Sequence, residues 1–195
     1  MTETSSSVLV ISPCLGNAVF GCGASLAGVT DALVCTVFAD ASGDDAFAED
    51  DAALALLNAA PMRLTFAQQP TLAEALRTLI GDYRPEVLMI PLGLRESNHV
   101  LAHPSLACFA YEESFHRRVR GMVQQRLIDL HARGIDATPL CASAAQPFDA
   151  ERRQALKREA VSAYATRLKA FGPDGYDDVF HAERFWKLEL ALHRV

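Results

Sequence analysis

Short apolar runs alternate with stretches of helical spacing along most of this chain. Ser7–Ser12 (SVLVIS), Ala32–Phe38 (ALVCTVF), Arg63–Phe66 and Glu86–Leu92 (EVLMIPL) are brief, rich in β-branched residues and bounded by polar or turn residues. Such runs predict strands buried on both faces. Between them, Asp44–Ala60 places Ala53, Leu54, Leu56 and Leu57 on one side, and Thr71–Ile80 does the same with Leu72, Ala75, Leu76 and Leu79. Those spacings predict helices. Ala24–Val29 starts a further helix after a loop punctuated by Gly16, Gly21 and Gly23. In the second half, Ser105–Arg133 reads as a long amphipathic helix, Ala137–Ala142 as a strand, Ala150–Ala170 as one helix and Ala182–His193 as a terminal helix. The alternation predicts βαβ units. The expected architecture is a single three-layer α/β/α domain over residues 1–195, with a mostly parallel, Rossmann-like sheet.

Composition narrows the function classes. Half of the residues are apolar and 22% are charged, as in ordinary globular proteins rather than disordered ones. The formal net charge of -6 argues against a nucleic-acid partner, which would need a basic face. The run Arg117, Arg118, Arg120, with His116, reads as a solvated helix face. No apolar run approaches the roughly 20 residues that span a bilayer, so no membrane association is expected. Met1–Ser7 is polar without a basic n-region and does not read as a signal peptide. Five widely spaced cysteines (Cys14, Cys22, Cys35, Cys108, Cys141) in mostly apolar surroundings read as reduced thiols of a cytoplasmic protein. Gly21-Cys22-Gly23 lacks the spacing of a dinucleotide fingerprint or a P-loop.

In open parallel sheets, ligands bind beyond the carboxyl ends of the strands. That directs attention to the loops after the first and fourth strands, Pro13–Val19 and Gly93–His103. Several segments there and elsewhere carry a resemblance: VLVISPCLGNAVFGCGASLAG, AEDDAALALLNAAPMRLTF, PLGLRESNHVLAHPSL, AYEESFHRRV, KREAVSAYATRL and AERFWKL. In this order they resemble the LmbE/PIG-L de-N-acetylase family across nearly the whole chain. The resemblance implies hydrolysis of an acetamide, usually on an aminosugar, by one zinc ion that polarises the amide and acidifies a bound water.

The residues that should do this are replaced. In the first motif, the resemblance puts the metal-binding His on Cys14, the general-base Asp on Gly16, the metal-binding Asp on Asn17 and the trailing Glu on Ala18. In the second, the oxyanion-stabilising His falls on Glu96 and the Asp on Asn98, while the metal-binding His persists as His99. An arginine that helps hold substrate would fall near Ala46 or Phe47, where there is none. A carboxamide is a feeble zinc ligand, and Gly16 can take no proton. Glu96 puts negative charge where an oxyanion needs a donor.

Three readings follow. The leading one is a non-catalytic or repurposed member without zinc, whose crevice binds a small molecule or partner through Asn17, Glu96 and Asn98. A second is catalysis by a Cys14–His99 pair, as hydrolase or transferase. A third is an active deacetylase whose atypical metal site uses Cys14, Asn17 or Glu96, and His99. A homo-oligomer is also in keeping with the resemblance.

Overall fold

The computed structural model describes residues 7–39, 44–64, 71–93, 106–140, 149–171 and 176–191. Its strands are β1 (Val8–Ser12), β2 (Ala32–Thr36), β3 (Ala59–Arg63), β4 (Val87–Pro91), β5 (Ala107–Tyr111), β6 (Ile135–Pro139) and β7 (Phe185–Leu190). They form one sheet in the order β3-β2-β1-β4-β5-β7-β6. β1 to β5 are mutually parallel, and β7 runs antiparallel to both β5 and β6. The helices are α1 (Asn17–Leu26), α2 (Asp44–Leu56), α3 (Leu72–Tyr83), α4 (Met122–Ala132), α5 (Ala150–Ser162) and α6 (Ala165–Ala170), with a 3-10 turn at Asp177–Phe180.

β1 is buried at all five positions because helices cover both faces of the sheet. Val8 and Val10 point into a core shared with Phe20 and Leu26 of α1, Leu54 of α2 and Val161 of α5. Leu9 and Ile11 point the other way, onto Leu76 and Ile80 of α3 and Leu130 of α4. The expected three-layer α/β/α domain is what forms. Buried Cys22, Cys35 and Cys108 are free thiols, as expected, and burial pushes Cys35 and Cys108 up to about 12.

Several boundaries and two element types differ from expectation. α2 stops at Leu56 because Asn58 takes a left-handed φ of 56°, which frees Ala59 to begin β3 four residues before the expected strand. The expected helix over Ser105–Arg133 is instead β5, a series of turns, and α4. ACFAY is apolar enough for either state, and its place between β4 and β7 selects the strand. Arg117 lies in the turns and is no solvated residue. Only 6% of its side chain is exposed, and it donates to Asp178 Oδ2 at 2.9 Å and to the Ala182 carbonyl at 3.0 Å.

The expected terminal helix is β7. Trp186 and Leu188 share one face at a spacing of two, and Lys187 meets Glu189 at 2.7 Å on the other. The expected helix Ala150–Ala170 is broken at Ala163–Tyr164, where Tyr164 leaves helical geometry (φ −81°, ψ 50°). α1 also kinks, at Cys22 (φ −140°). A side chain at Gly21 would meet the Tyr111 ring at 2.7 Å, so the helix reaches the sheet only with glycine there. Beyond the kink, Glu183 accepts hydrogen bonds from the Ala24 and Ser25 amides and from Ser25 Oγ. Its carboxylate also pairs with the fully buried Lys157 Nζ at 2.8 Å.

Candidate functional site

β1 delivers the chain into a tight turn at its carboxyl end. Ser12 Oγ donates to the Cys14 carbonyl at 2.7 Å and accepts from the Ala18 amide at 3.1 Å, which folds Pro13–Asn17 back onto the start of α1. Gly16 sits at φ 76° and donates its amide to Asp50 Oδ1 at 2.9 Å. Tyr164 Oη donates to the same oxygen at 2.7 Å. Arg63 Nη2 lies 3.5 Å from Asp50 Oδ2, an atom that is buried without a hydrogen bond. Burial raises the Asp50 carboxyl above its ordinary value, and the bonds from Tyr164 and Gly16 and the Arg63 charge offset part of that rise. A Cβ at Gly16 would sit 3.1 Å from the Tyr164 ring, in a backbone region that L side chains avoid at about 1–2 kcal/mol. An aspartate at the position that the resemblance assigns to the general base would therefore be strained and would press on the Tyr164 ring.

Arg167 of α6 closes the other side of the turn. It donates to the Leu15 carbonyl and, through Nη2, to Asn17 Oδ1 at 2.9 Å. Its guanidinium carbon stands 5.4 Å from the centre of the Phe20 ring. The Asn17 carboxamide oxygen thus faces a fixed positive charge, and its amide N–H groups remain to donate elsewhere.

The second wall comes from the turns after β5. Glu113 Oε2 lies 3.1 Å from His116 Nδ1. Ser114 Oγ donates to the Phe20 carbonyl at 2.6 Å and ties this segment to α1. Asn17, Phe20, Glu113, Ser114, Phe115 and His116 line a small open cleft of about 40 Å³. With its proton on Nδ1 facing Glu113, His116 offers Nε2 as a lone-pair acceptor.

Of the residues singled out in the sequence, Cys14 is a partly exposed free thiol at the mouth of the turn, and Asn17 lines the cleft. Glu96, Asn98 and His99 lie outside the described residues, and with them the proposed pairing of Cys14 and His99. Of the two positions in view, Cys14 carries a free thiol, a group zinc accepts, and Asn17 does not suit the ion. Asn17 offers a neutral oxygen already bonded to a guanidinium, beside which a dication would be repelled. Among the described residues, no three His, Cys, Asp or Glu side chains are grouped closely enough to hold a metal ion.

Asp50, Tyr164, Arg167, Glu113 and His116 were not anticipated. Asp50 had a signal: it precedes Ala53, Leu54 and Leu57 by three, four and seven residues, an acid on an apolar stripe. Arg167 lies within the resembling segment KREAVSAYATRL, but nothing in its spacing links it to Asn17, 150 positions away.

The fold and this crevice define a three-layer α/β protein with a cleft of mixed polar and aromatic lining at the carboxyl edge of its parallel strands. No protein-family profile matches the chain, and no curated protein matches it. Among solved structures it is similar to the A40926 pseudoaglycone deacetylase Dbv21, at 17% identity and a TM-score of 0.67, covering 97% of this chain and 100% of that one. The 4-carboxy-2-hydroxymuconate hydratase GalB of Pseudomonas putida KT2440 aligns at 12% identity and a TM-score of 0.46, over 97% of this chain and 98% of its own. The conserved protein TT1542 of Thermus thermophilus aligns at 16% identity and a TM-score of 0.44, over 97% of this chain and 96% of its own. The chain shares the fold of the deacetylase Dbv21 over nearly its whole length.

Proposed function

We propose that this chain is a member of the de-N-acetylase lineage that has given up zinc-dependent amide hydrolysis and uses the crevice to bind a small molecule. The observation that carries the reading is the bond from Arg167 to Asn17 Oδ1. Where the resemblance expects a carboxylate turned toward a cation, a carboxamide oxygen is turned toward a guanidinium. Gly16, locked against Tyr164, adds that no base stands in the first turn. The ligand suited to this cleft carries an acceptor oxygen for the Asn17 amide, a polar group for the His116–Glu113 pair and an apolar part over Phe115. Glu96 and Asn98, which lie outside the described residues, are proposed as further ligand contacts.

The test is thermal shift followed by calorimetry with N-acetylated aminosugars, acyl amines and small carboxylates, in the presence of a chelator. A compound from this set is expected to bind without metal, and Asn17→Ala is expected to weaken it about tenfold or more. Release of acetate from any acetamide, or absence of any binder, refutes the reading.

A further inference from the structure

We propose that a second cleft, between the ends of β5 and β7 and the start of α4, binds a small amino acid with an apolar side chain. Glu112 follows β5 directly and is only 2% exposed. Its Oε1 accepts from Trp186 Nε1 at 3.0 Å, but its buried Oε2 has no hydrogen-bond partner. The cation beside Oε2 is Arg184, whose Nη1 stands 3.7 Å away on a side chain 69% exposed. A buried carboxylate oxygen left without a donor is costly and calls for one.

Glu112, Arg120, Gln124, Leu127, Arg184 and Trp186 line this open cleft of about 460 Å³. α4 begins there after Gly121, with no side-chain cap and no acid in its first turn. Its first amide, Met122, donates to the Val119 carbonyl at 3.1 Å, and the next amides, Val123 and Gln124, with the positive dipole end favour a carboxylate. Arg120 is exposed next to them and carries no ion pair among the described residues. One wall therefore asks for a cationic donor and the other for an anion, with the apolar surface of Leu127 and Trp186 between them. An α-amino acid supplies all three. Its ammonium donates to Glu112 Oε2, its carboxylate meets the α4 amides and Arg120, and Arg184, displaced from Oε2, turns to the same carboxylate. This site does not depend on the reading of Asn17 and Arg167.

Calorimetry of the intact protein with the standard α-amino acids tests the proposal. For the tightest binder, the matching deaminated acid and decarboxylated amine are measured in parallel. An apolar amino acid is expected to bind, with each truncated analogue weaker by about tenfold or more. Glu112→Gln and Arg120→Ala are each expected to weaken it similarly, whereas Arg77→Ala, which removes an exposed charge on α3, leaves it unchanged. Should Glu112→Gln fail to fold by circular dichroism, Arg120→Ala on the surface still decides. Failure of every amino acid to bind, equal binding of an analogue, or undiminished binding by a folded Arg120→Ala overturns the proposal.

Discussion

Replacing Glu183 with alanine is expected to lower the unfolding free energy by about 3–5 kcal/mol, the cost of stranding a buried charge. Lys157 has no exposed side-chain surface, and Glu183 is its counterion at 2.8 Å. The same carboxylate receives the Ala24 and Ser25 amides where α1 restarts beyond its kink. Removing it leaves an ammonium and two amides unpaired at once. Lys157→Met behaves differently. It fills similar volume, and Glu183 keeps its three donors from Ala24 and Ser25, so the loss is expected to be the smaller of the two. Thermal unfolding checks both, with a Tm roughly 6–20 °C lower for Glu183→Ala in a domain of this size. A shift for Lys157→Met as large as that for Glu183→Ala would contradict the assignment of the cost to an unpaired lysine.

Asp50 supports the second large effect. Asp50→Ala removes the acceptor for both the Gly16 amide and the Tyr164 hydroxyl, which are buried. The expected loss is about 2–4 kcal/mol, since each stranded donor costs roughly 1–3 kcal/mol and relief of a buried carboxylate returns part of it. Asp50→Asn keeps one acceptor oxygen and is expected to cost less. The pH dependence separates the charge from the hydrogen bonds. Burial raises the folded pKa of Asp50 above the ordinary 3.8, so the folded state holds this proton more tightly than the unfolded state does. The stability contributed by Asp50 is then fully present below about pH 4 and declines as pH rises through the folded pKa. Urea midpoints measured against pH should show that decline in wild type and lose it in Asp50→Asn. An unchanged profile in Asp50→Asn would show that another group carries it.

The two halves of the chain were unequally legible. β1 and β4 lie between helix layers, so both their faces are apolar and VLVIS and VLMIP read as strands without context. β7 is different. FWKLEL carries Phe, Trp and two Leu at spacings that suit a helix stripe or a two-residue alternation, and the choice is made by β5 and β6 on either side. The same holds for ACFAY in β5. At the site, sequence resemblance located the turn containing Cys14 and Asn17 but not what surrounds it. Arg167 and Tyr164 reach that turn only because the helix breaks at Ala163, and no local spacing announces where their side chains end. Polar residues on apolar stripes were the available clue. Lys157 precedes Ala160, Val161 and Tyr164 by three, four and seven positions, as Asp50 precedes Ala53, Leu54 and Leu57. Both are buried and paired.

Electrostatics around the first turn joins these observations. Asp50 beneath it is engaged by Gly16, Tyr164 and Arg63, so its charge is committed to holding the turn. Arg167 above it fills the position beside Asn17 with a cation that belongs to the protein. A divalent ion brought to that oxygen would be repelled by the guanidinium, which is bonded to both Asn17 and the Leu15 carbonyl.

Zinc stoichiometry measures this most directly. Protein purified without a histidine tag, incubated with excess zinc and desalted, is expected to retain far less than one zinc per chain by mass spectrometry of the elements. One tightly held zinc per chain, accompanied by chelator-sensitive release of acetate from an acetamide, would contradict the account.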